Sequence, residues 1–176
     1  MGVADHAWDA GMVEAALFRS GGVKQASYRY GPATNPDPAA GFRHYKPKGV
    51  GHAFVHVAGA GSDLVGHGAG LAKKSRYADE PTAIAVIVEI LNTAQGLAAL
   101  RRLDANPGST EWLHGATAVP ITGAWYGYAP NETGRRKILT ASINLNSHGE
   151  ALFIHSSYPE GLQAATPPAA PAGPAP

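Results

Sequence analysis

The stretch RRKILTASINLNSHGEALFIHSSYP, residues 135–159, has the pattern of a β-hairpin, and the rest of the chain is read from it. Its first half alternates two sets of residues, which is typical of a strand with one polar and one apolar face. The sets are Ile138, Thr140, Ser142 and Asn144, and Leu139, Ala141, Ile143 and Leu145. Residues 146–149, Asn-Ser-His-Gly, predict the turn. The return strand is predicted over residues 151–157, since Pro159 cannot donate to a β-ladder.

The return strand ends in side chains that can transfer protons and form hydrogen bonds to a substrate. They are a titratable base, two hydroxyls and a phenol, carried by His155, Ser156, Ser157 and Tyr158. Side chains alternate between the two faces of a regular strand. Strict alternation predicts a core face with Leu152, Ile154, Ser156 and Tyr158, and an opposite face with Phe153, His155 and Ser157.

The overall charge does not indicate a partner, because the 176 residues include 14 basic and 13 acidic side chains. The basic residues are nevertheless clustered, at residues 43–48, 73–76, 101–102 and 135–137. Such clusters can face phosphate groups without a high overall pI, although solvated surface charge is the more common explanation. The absence of cysteine excludes disulfides and thiolate metal sites.

The two ends of the chain differ in composition from its middle. Residues 1–48 lack a basic segment followed by an apolar one, so no ordinary signal peptide is predicted, and we interpret them as a leader or adapter. Residues 161–176 are rich in proline and alanine and predict a disordered tail. We interpret the remaining residues, 49–160, as the main domain. No apolar run reaches membrane-spanning length, so we expect no membrane insertion.

The strongest helix signal begins at Asp79, which can cap a helix N-terminus, with Pro81 in the first turn. A helix, or a helix pair bent near Gly96, is predicted to reach Leu103, before the stop signal Asn-Pro-Gly at residues 106–108. A shorter helix is predicted at residues 7–19, and strands at residues 112–121 and 124–128. The order predicts an α+β fold, in which a helical block packs on a twisted antiparallel sheet.

Eight histidines are compatible with either a metal site or acid–base chemistry. His52 and His56 have the i, i+4 spacing of a helical metal pair, but no acidic residue lies nearby, so neither a metal site nor a cofactor is predicted. Metal-free RNA cleavage needs a base for the 2′-hydroxyl, an acid for the leaving oxygen, and cations or hydrogen-bond donors for the phosphate. Histidine suits the first two roles because its pKa lies near neutrality, which makes His56, His67 and His155 candidates.

Three short motifs follow one another along the chain. The first is the His-Val step at His56, and the second is the Ser-x-aromatic step at residues 75–77, which leads into the long helix. The third is the hairpin end at residues 156–159: a hydroxyl, a small residue, an aromatic and a proline. In these motifs, from about His52 to Pro159, the chain resembles the bacterial RNase A-like toxin domain. That domain lies at the C-terminus of contact-dependent growth inhibition proteins and other polymorphic toxins.

The resemblance implies an RNase A-like architecture over residues 49–160. It also implies the activity of a metal-independent endoribonuclease toxin used in competition between bacteria. It assigns a catalytic role to His56, and to Ser156 and Tyr158 at the hairpin end. The imidazole and the hydroxyl–phenol pair are therefore expected to meet around one phosphodiester.

The family pattern also has an arginine about three helical turns after the catalytic histidine, where this chain has His67. Either His67 takes that role, or Lys74 or Arg76 reaches the site; without such a group the domain would be inactive. His155 is the other candidate for the second acid–base group. Lys74, Arg76 and His52 are expected to bind the substrate.

The resemblance further implies RNA as the substrate, with tRNA among the candidates, and a cognate immunity protein as partner. It implies secretion, or delivery into the cytoplasm of a target cell. Two other functions remain open: a non-enzymatic module, such as a degenerate toxin or a binding domain, and a toxin that degrades NAD. Activity assays distinguish the three. A ribonuclease would degrade RNA, an NAD-degrading toxin would deplete NAD and leave RNA intact, and a binding module would do neither.

Overall fold

The computed structural model describes residues 2–19, 56–58, 75–148 and 151–165. Within them, three helices pack against a curled six-stranded antiparallel sheet, which confirms the predicted α+β class. The helices are α1 (Ala10–Arg19), α2 (Glu80–Asn92) and α3 (Ala94–Ala105). The strands are β1 (Arg76–Tyr77), β2 (Thr110–Leu113), β3 (Val119–Pro120), β4 (Tyr126–Tyr128), β5 (Arg135–His148) and β6 (Ala151–Leu162).

The long strand β5 is the centre of the sheet. Strands β4, β3 and β2 pair with successive parts of it, β6 pairs with it from Ile138 to His148, and β1 joins beside β4. Ala141, Ile143 and Leu145 are buried, as predicted for the apolar face of β5, but Ser142 on the polar face is fully buried as well. A β-bulge at Leu139 reverses the alternation before Thr140, so Ile138 is buried and Leu139 is exposed.

Three predicted boundaries in this part of the chain are wrong. The return strand predicted to end at residue 157 continues to Leu162, and Pro159 pairs with Ala141 within it. The turn is predicted to begin at residue 146, but β5 continues to His148, which pairs with Ala151. The strand expected at residues 112–121 is broken by a 3₁₀ turn at Gly115–Thr117, so β2 and β3 are separate. The interruption fits Gly115, whose φ of 58° lies in the left-handed region.

The helical block forms as its sequence signals predict. Asp79 accepts a hydrogen bond from the Thr82 amide at 2.8 Å and caps α2, with Pro81 in the first turn. Helices α2 and α3 meet at Thr93, whose hydroxyl oxygen accepts from the Gly96 amide at 3.0 Å. Among the described residues, no single helix is long and apolar enough to cross a membrane; α2 and α3 meet that test only as a pair, bent by 75°.

The N-terminal segment is fastened to the same core. The amides of Val3 and Ala4 donate to the Asp104 carboxylate at 2.7 and 2.8 Å. The Trp8 amide donates to the Asn92 side chain at 2.9 Å, and the Asn92 amide group donates back to the Trp8 carbonyl at 2.7 Å. Helix α1 then packs against α2 and β6. The domain boundary predicted after residue 48 lies outside the described residues and stays a prediction.

A carboxylate on α2 organises the loop between β3 and β4. Glu89 accepts hydrogen bonds from the amide and hydroxyl of Thr122, from the Gly123 amide, and from the Trp125 indole at 3.0 Å. Burial acts to raise the pKa of Glu89, but these hydrogen bonds outweigh it and hold the pKa below its usual value.

Replacing Glu89 with Gln is therefore expected to destabilise the fold at neutral pH by about 1–2 kcal/mol, because hydrogen bonds to a charged acceptor are lost. A lowered folded-state pKa stabilises the fold above the usual value of 4.5, and this contribution disappears as the pH falls through the folded-state pKa. Urea unfolding measured at several pH values checks the prediction: the gap between wild type and Glu89→Gln should close in acid. A constant gap would show that the charge is not the cause.

Candidate active site at the end of the hairpin

A second β-bulge, at His155, decides which side chains of β6 reach the core. Asn144 pairs with Ser156 and Leu145 with Ile154, so His155 is the extra residue. The bulge reverses the alternation, and the buried positions after Ile154 are Ser157 and Pro159. The prediction that Ser156 and Tyr158 share the core face is therefore wrong. Both are half-buried and lie on the opposite face.

The bulge brings Tyr158 to His56. The two rings lie with their centroids 4.9 Å apart and their planes tilted by 38°. The Nδ1 atom of His56 lies 3.1 Å from the Ser75 carbonyl oxygen, and since a carbonyl only accepts, Nδ1 carries the proton. In the neutral imidazole the lone pair then belongs to Nε2, which is the atom that a general base uses. His56 is 3% exposed.

The Ser-x-aromatic step fastens β1 to β6. Ser75 donates its hydroxyl proton to the Pro159 carbonyl, and Tyr77 bonds Ser157 at 2.7 Å. Because Ser157 donates to the Ser142 carbonyl at 2.9 Å, it accepts from Tyr77. Burial raises the pKa of Tyr77 well above its usual value, so this phenol stays neutral and acts as a structural clamp. The second and third sequence motifs thus meet in space.

Arg76 lies between these two anchors. Its side chain is 4% exposed and turns away from the core, toward the face on which β4 carries Tyr128. The guanidinium lies over the Tyr128 ring, 4.8 Å from the centroid, and Nη2 donates to the Glu132 carbonyl at 3.1 Å. No ion pair links Arg76 to a carboxylate among the described residues.

The remaining predicted site residues are placed as follows. His155 is half-buried at the bulge on β6, next to Ser156. His52, His67 and Lys74 lie outside the described residues. The described part of the chain contains no cluster of three or more His, Asp or Glu side chains that could hold a metal ion.

Sequence reasoning missed a carboxylate at this site. Glu160 accepts a hydrogen bond from the hydroxyl of Ser142, the residue directly opposite Tyr158, and another from the Gly115 amide at 2.7 Å. It occupies a further bulge between Pro159 and Gly161, which turns its side chain onto the face that carries Tyr158. No pattern of local sequence marks this bulge. The Pro-Glu-Gly composition of residues 159–161 was the one signal available.

Comparisons with known proteins add little to this picture. No known family model matches the chain, and no curated protein sequence matches it. A chain in the crystal structure of the CdiA-CT/CdiI complex from Y. kristensenii 33638 is similar to 63% of this chain over 100% of its own length, at 20% identity and a TM-score of 0.37. These values are too low to assign a fold or an activity to this protein.

Proposed function

We propose that this protein is a metal-independent endoribonuclease toxin that cleaves RNA by attack of the ribose 2′-hydroxyl on the adjacent phosphate. The observation that carries the proposal is the contact of the His56 and Tyr158 rings, with centroids 4.9 Å apart, at the strand end that also presents Ser156. Residues far apart in the chain supply a base, a phenol and a hydroxyl. Such a convergence is expected of a site for acid–base chemistry. The resemblance of the three motifs to RNase A-like toxins supports the same reaction.

In the proposed reaction His56 Nε2 takes the proton of the 2′-hydroxyl, and the 2′-oxygen forms a bond to phosphorus. The bond from phosphorus to the 5′-oxygen breaks, and a second acid, His67 or His155, protonates that leaving oxygen. Ser156 and Tyr158 donate hydrogen bonds to the phosphate, and Arg76 or Lys74 supplies positive charge. The products are a 2′,3′-cyclic phosphate and a 5′-hydroxyl.

Burial of His56 adds a requirement to the mechanism. A base must come within hydrogen-bond distance of the proton that it removes, and an imidazole that is 3% exposed does not meet bulk substrate. RNA binding must therefore uncover the ring. The hydrogen bond to Ser75 keeps Nδ1 protonated and the ring oriented while this happens.

The proposal is tested by incubating purified protein with labelled single-stranded RNA in EDTA. We expect cleavage without metal, products ending in a 2′,3′-cyclic phosphate, and no cleavage of the same oligonucleotide with 2′-O-methyl groups. A requirement for a divalent ion would contradict the mechanism. Consumption of NAD with intact RNA would favour the dinucleotide-degrading alternative, and inactivity toward both would favour the binding module.

The biological setting follows from the proposed activity. A ribonuclease that poisons cells needs an inhibitor in the cell that makes it, so we propose a cognate immunity protein as partner. Delivery into the cytoplasm of a target cell would give the enzyme access to RNA, including tRNA. Residues 49–160 would carry the catalytic site, while the N-terminal segment completes the same core and residues 161–162 finish strand β6.

A further inference from the structure

We propose that Arg76 is the centre of a binding site for a tetrahedral oxyanion, which in the proposed ribonuclease is a phosphate of RNA. Only the identification of the anion with RNA rests on the proposed function; the anion site itself does not. The starting observation is that a permanently charged guanidinium is 4% exposed. Burial of a charge is costly unless hydrogen bonds and an opposite charge compensate it.

The contacts of Arg76 leave most of its hydrogen-bonding capacity unused. One donor, Nη2, reaches the Glu132 carbonyl, and the guanidinium lies against the Tyr128 ring. The Nε and Nη1 atoms are buried and have no hydrogen-bond partner among the described residues. The nearby Glu132 carboxylate is already paired with Arg136 at 2.5 Å. Buried donors without partners are rare in native proteins, and a bound water, ion or ligand is expected to satisfy them.

A second guanidinium stands on the other side of the same tyrosine. Arg76, Tyr128 and Arg135 form one cross-strand row over β1, β4 and β5. Arg135 is exposed, and its Nε lies 3.3 Å from the Tyr128 hydroxyl. Planar guanidinium groups present parallel donors that match the oxygens of phosphate. A singly charged oxyanion would satisfy the free donors of Arg76 and balance one of the two positive charges in the row, and a doubly charged one would balance both.

The position of Arg76 connects this site with the proposed chemistry. Arg76 follows Ser75, whose carbonyl holds the His56 imidazole. The residue just before β1 therefore positions the base, and the first residue of β1 carries the uncompensated cation. An RNA phosphate bound at Arg76 would bring a nucleotide toward His56, and the Arg76 guanidinium would supply the positive charge that the family pattern assigns to another position.

The test is thermal unfolding of the full chain in phosphate, in sulfate, and in chloride at equal ionic strength. At 100 times the dissociation constant, phosphate should raise the melting temperature of the wild type by about 5–10 °C. Arg76→Met keeps the side-chain length and removes the charge, so it should lose this rise and unfold in chloride at the wild-type temperature or above. Arg102→Met removes an exposed arginine that is paired with Glu111, and it should keep the phosphate effect.

Three results would overturn the proposal: a wild type that responds equally to phosphate and chloride, an Arg76→Met variant that still responds, and an Arg76→Met variant that is unfolded or strongly destabilised in chloride. The last result would mean that the empty fold needs the guanidinium. Competition between phosphate and a 2′-O-methyl RNA would identify the anion as RNA. Phosphate binding without competition would support the anion site and count against the proposed function.

Discussion

Replacement of His56 with Ala is expected to lower RNA cleavage by at least about 100-fold, the usual contribution of a positioned general base. The imidazole is the group that the proposed mechanism uses to start the reaction, and its Nδ1 is already committed to the Ser75 carbonyl. Initial rates on labelled RNA in EDTA give the effect. His114→Ala is the matched control, because His114 is an exposed histidine whose ring likewise contacts an aromatic ring, that of Trp112, and the variant should retain full activity.

A second variant separates catalysis from folding. His56→Asn keeps a donor near the position of Nδ1 and therefore keeps the bond to Ser75, but it has no equivalent of Nε2. We expect it to melt close to the wild type while losing activity as completely as the alanine variant. Substantial cleavage by a folded His56→Asn protein would show that His56 is not the general base. The contact between His56 and Tyr158 would then have a structural role only.

Gly96→Ala is expected to destabilise the fold by about 3 kcal/mol, the upper part of the usual range for overpacking. A Cβ at this position would collide with the Ile90 carbonyl oxygen and lie 2.9 Å from the Leu91 Cα, both of them backbone atoms that cannot swing aside. The same carbonyl accepts hydrogen bonds from the amide and the hydroxyl of Thr93. The change would therefore disturb the bend that joins α2 to α3.

Gly134→Ala is the control for this substitution. Nothing lies within 4 Å of a Cβ at Gly134, and its φ is not in the left-handed region, so the change should be within about 0.5 kcal/mol of neutral. Urea unfolding followed by far-UV circular dichroism measures both variants. Equal stabilities for the two proteins would show that the α2–α3 bend relaxes around the added methyl group.

Local signals in the sequence predicted the helical block well. The cap at Asp79, the proline after it and the stop at residues 106–108 each act within a few residues, so no knowledge of the fold is needed to read them. The alternation in β5 is equally local, and it predicted the buried face from Ala141 to Leu145. The α+β class follows from these elements and their order.

The faces of β6 could not be predicted in this way. The bulge at His155 exchanges the faces of Ser156 and Ser157, yet no turn residue such as glycine or proline marks its position. What favours the bulged register is distant: Ser157 meets Tyr77 from β1, and Ile154 and Leu152 meet the helices in the core. The sequence of β6 alone therefore does not indicate which register its neighbours favour.

The sequence identified only some of the residues of the candidate site. The resemblance named His56 and Tyr158, whose rings are in contact in the structure, while their action on a substrate stays a prediction. Arg76 was named as a substrate-binding residue, but its burial and its unpaired donors required a three-dimensional structure. Glu160 was not named at all, since its place beside Tyr158 depends on a bulge.

The packing of α1 against β6 has a consequence for folding during synthesis. The core joins Trp8 and Leu17, near one end of the described chain, to Ile154, near the other. A partly synthesised chain on the ribosome thus has no finished interior, and contacts between such distant segments slow the folding step itself. Since the same strand carries Tyr158, the contact between Tyr158 and His56 cannot form before that strand has been synthesised.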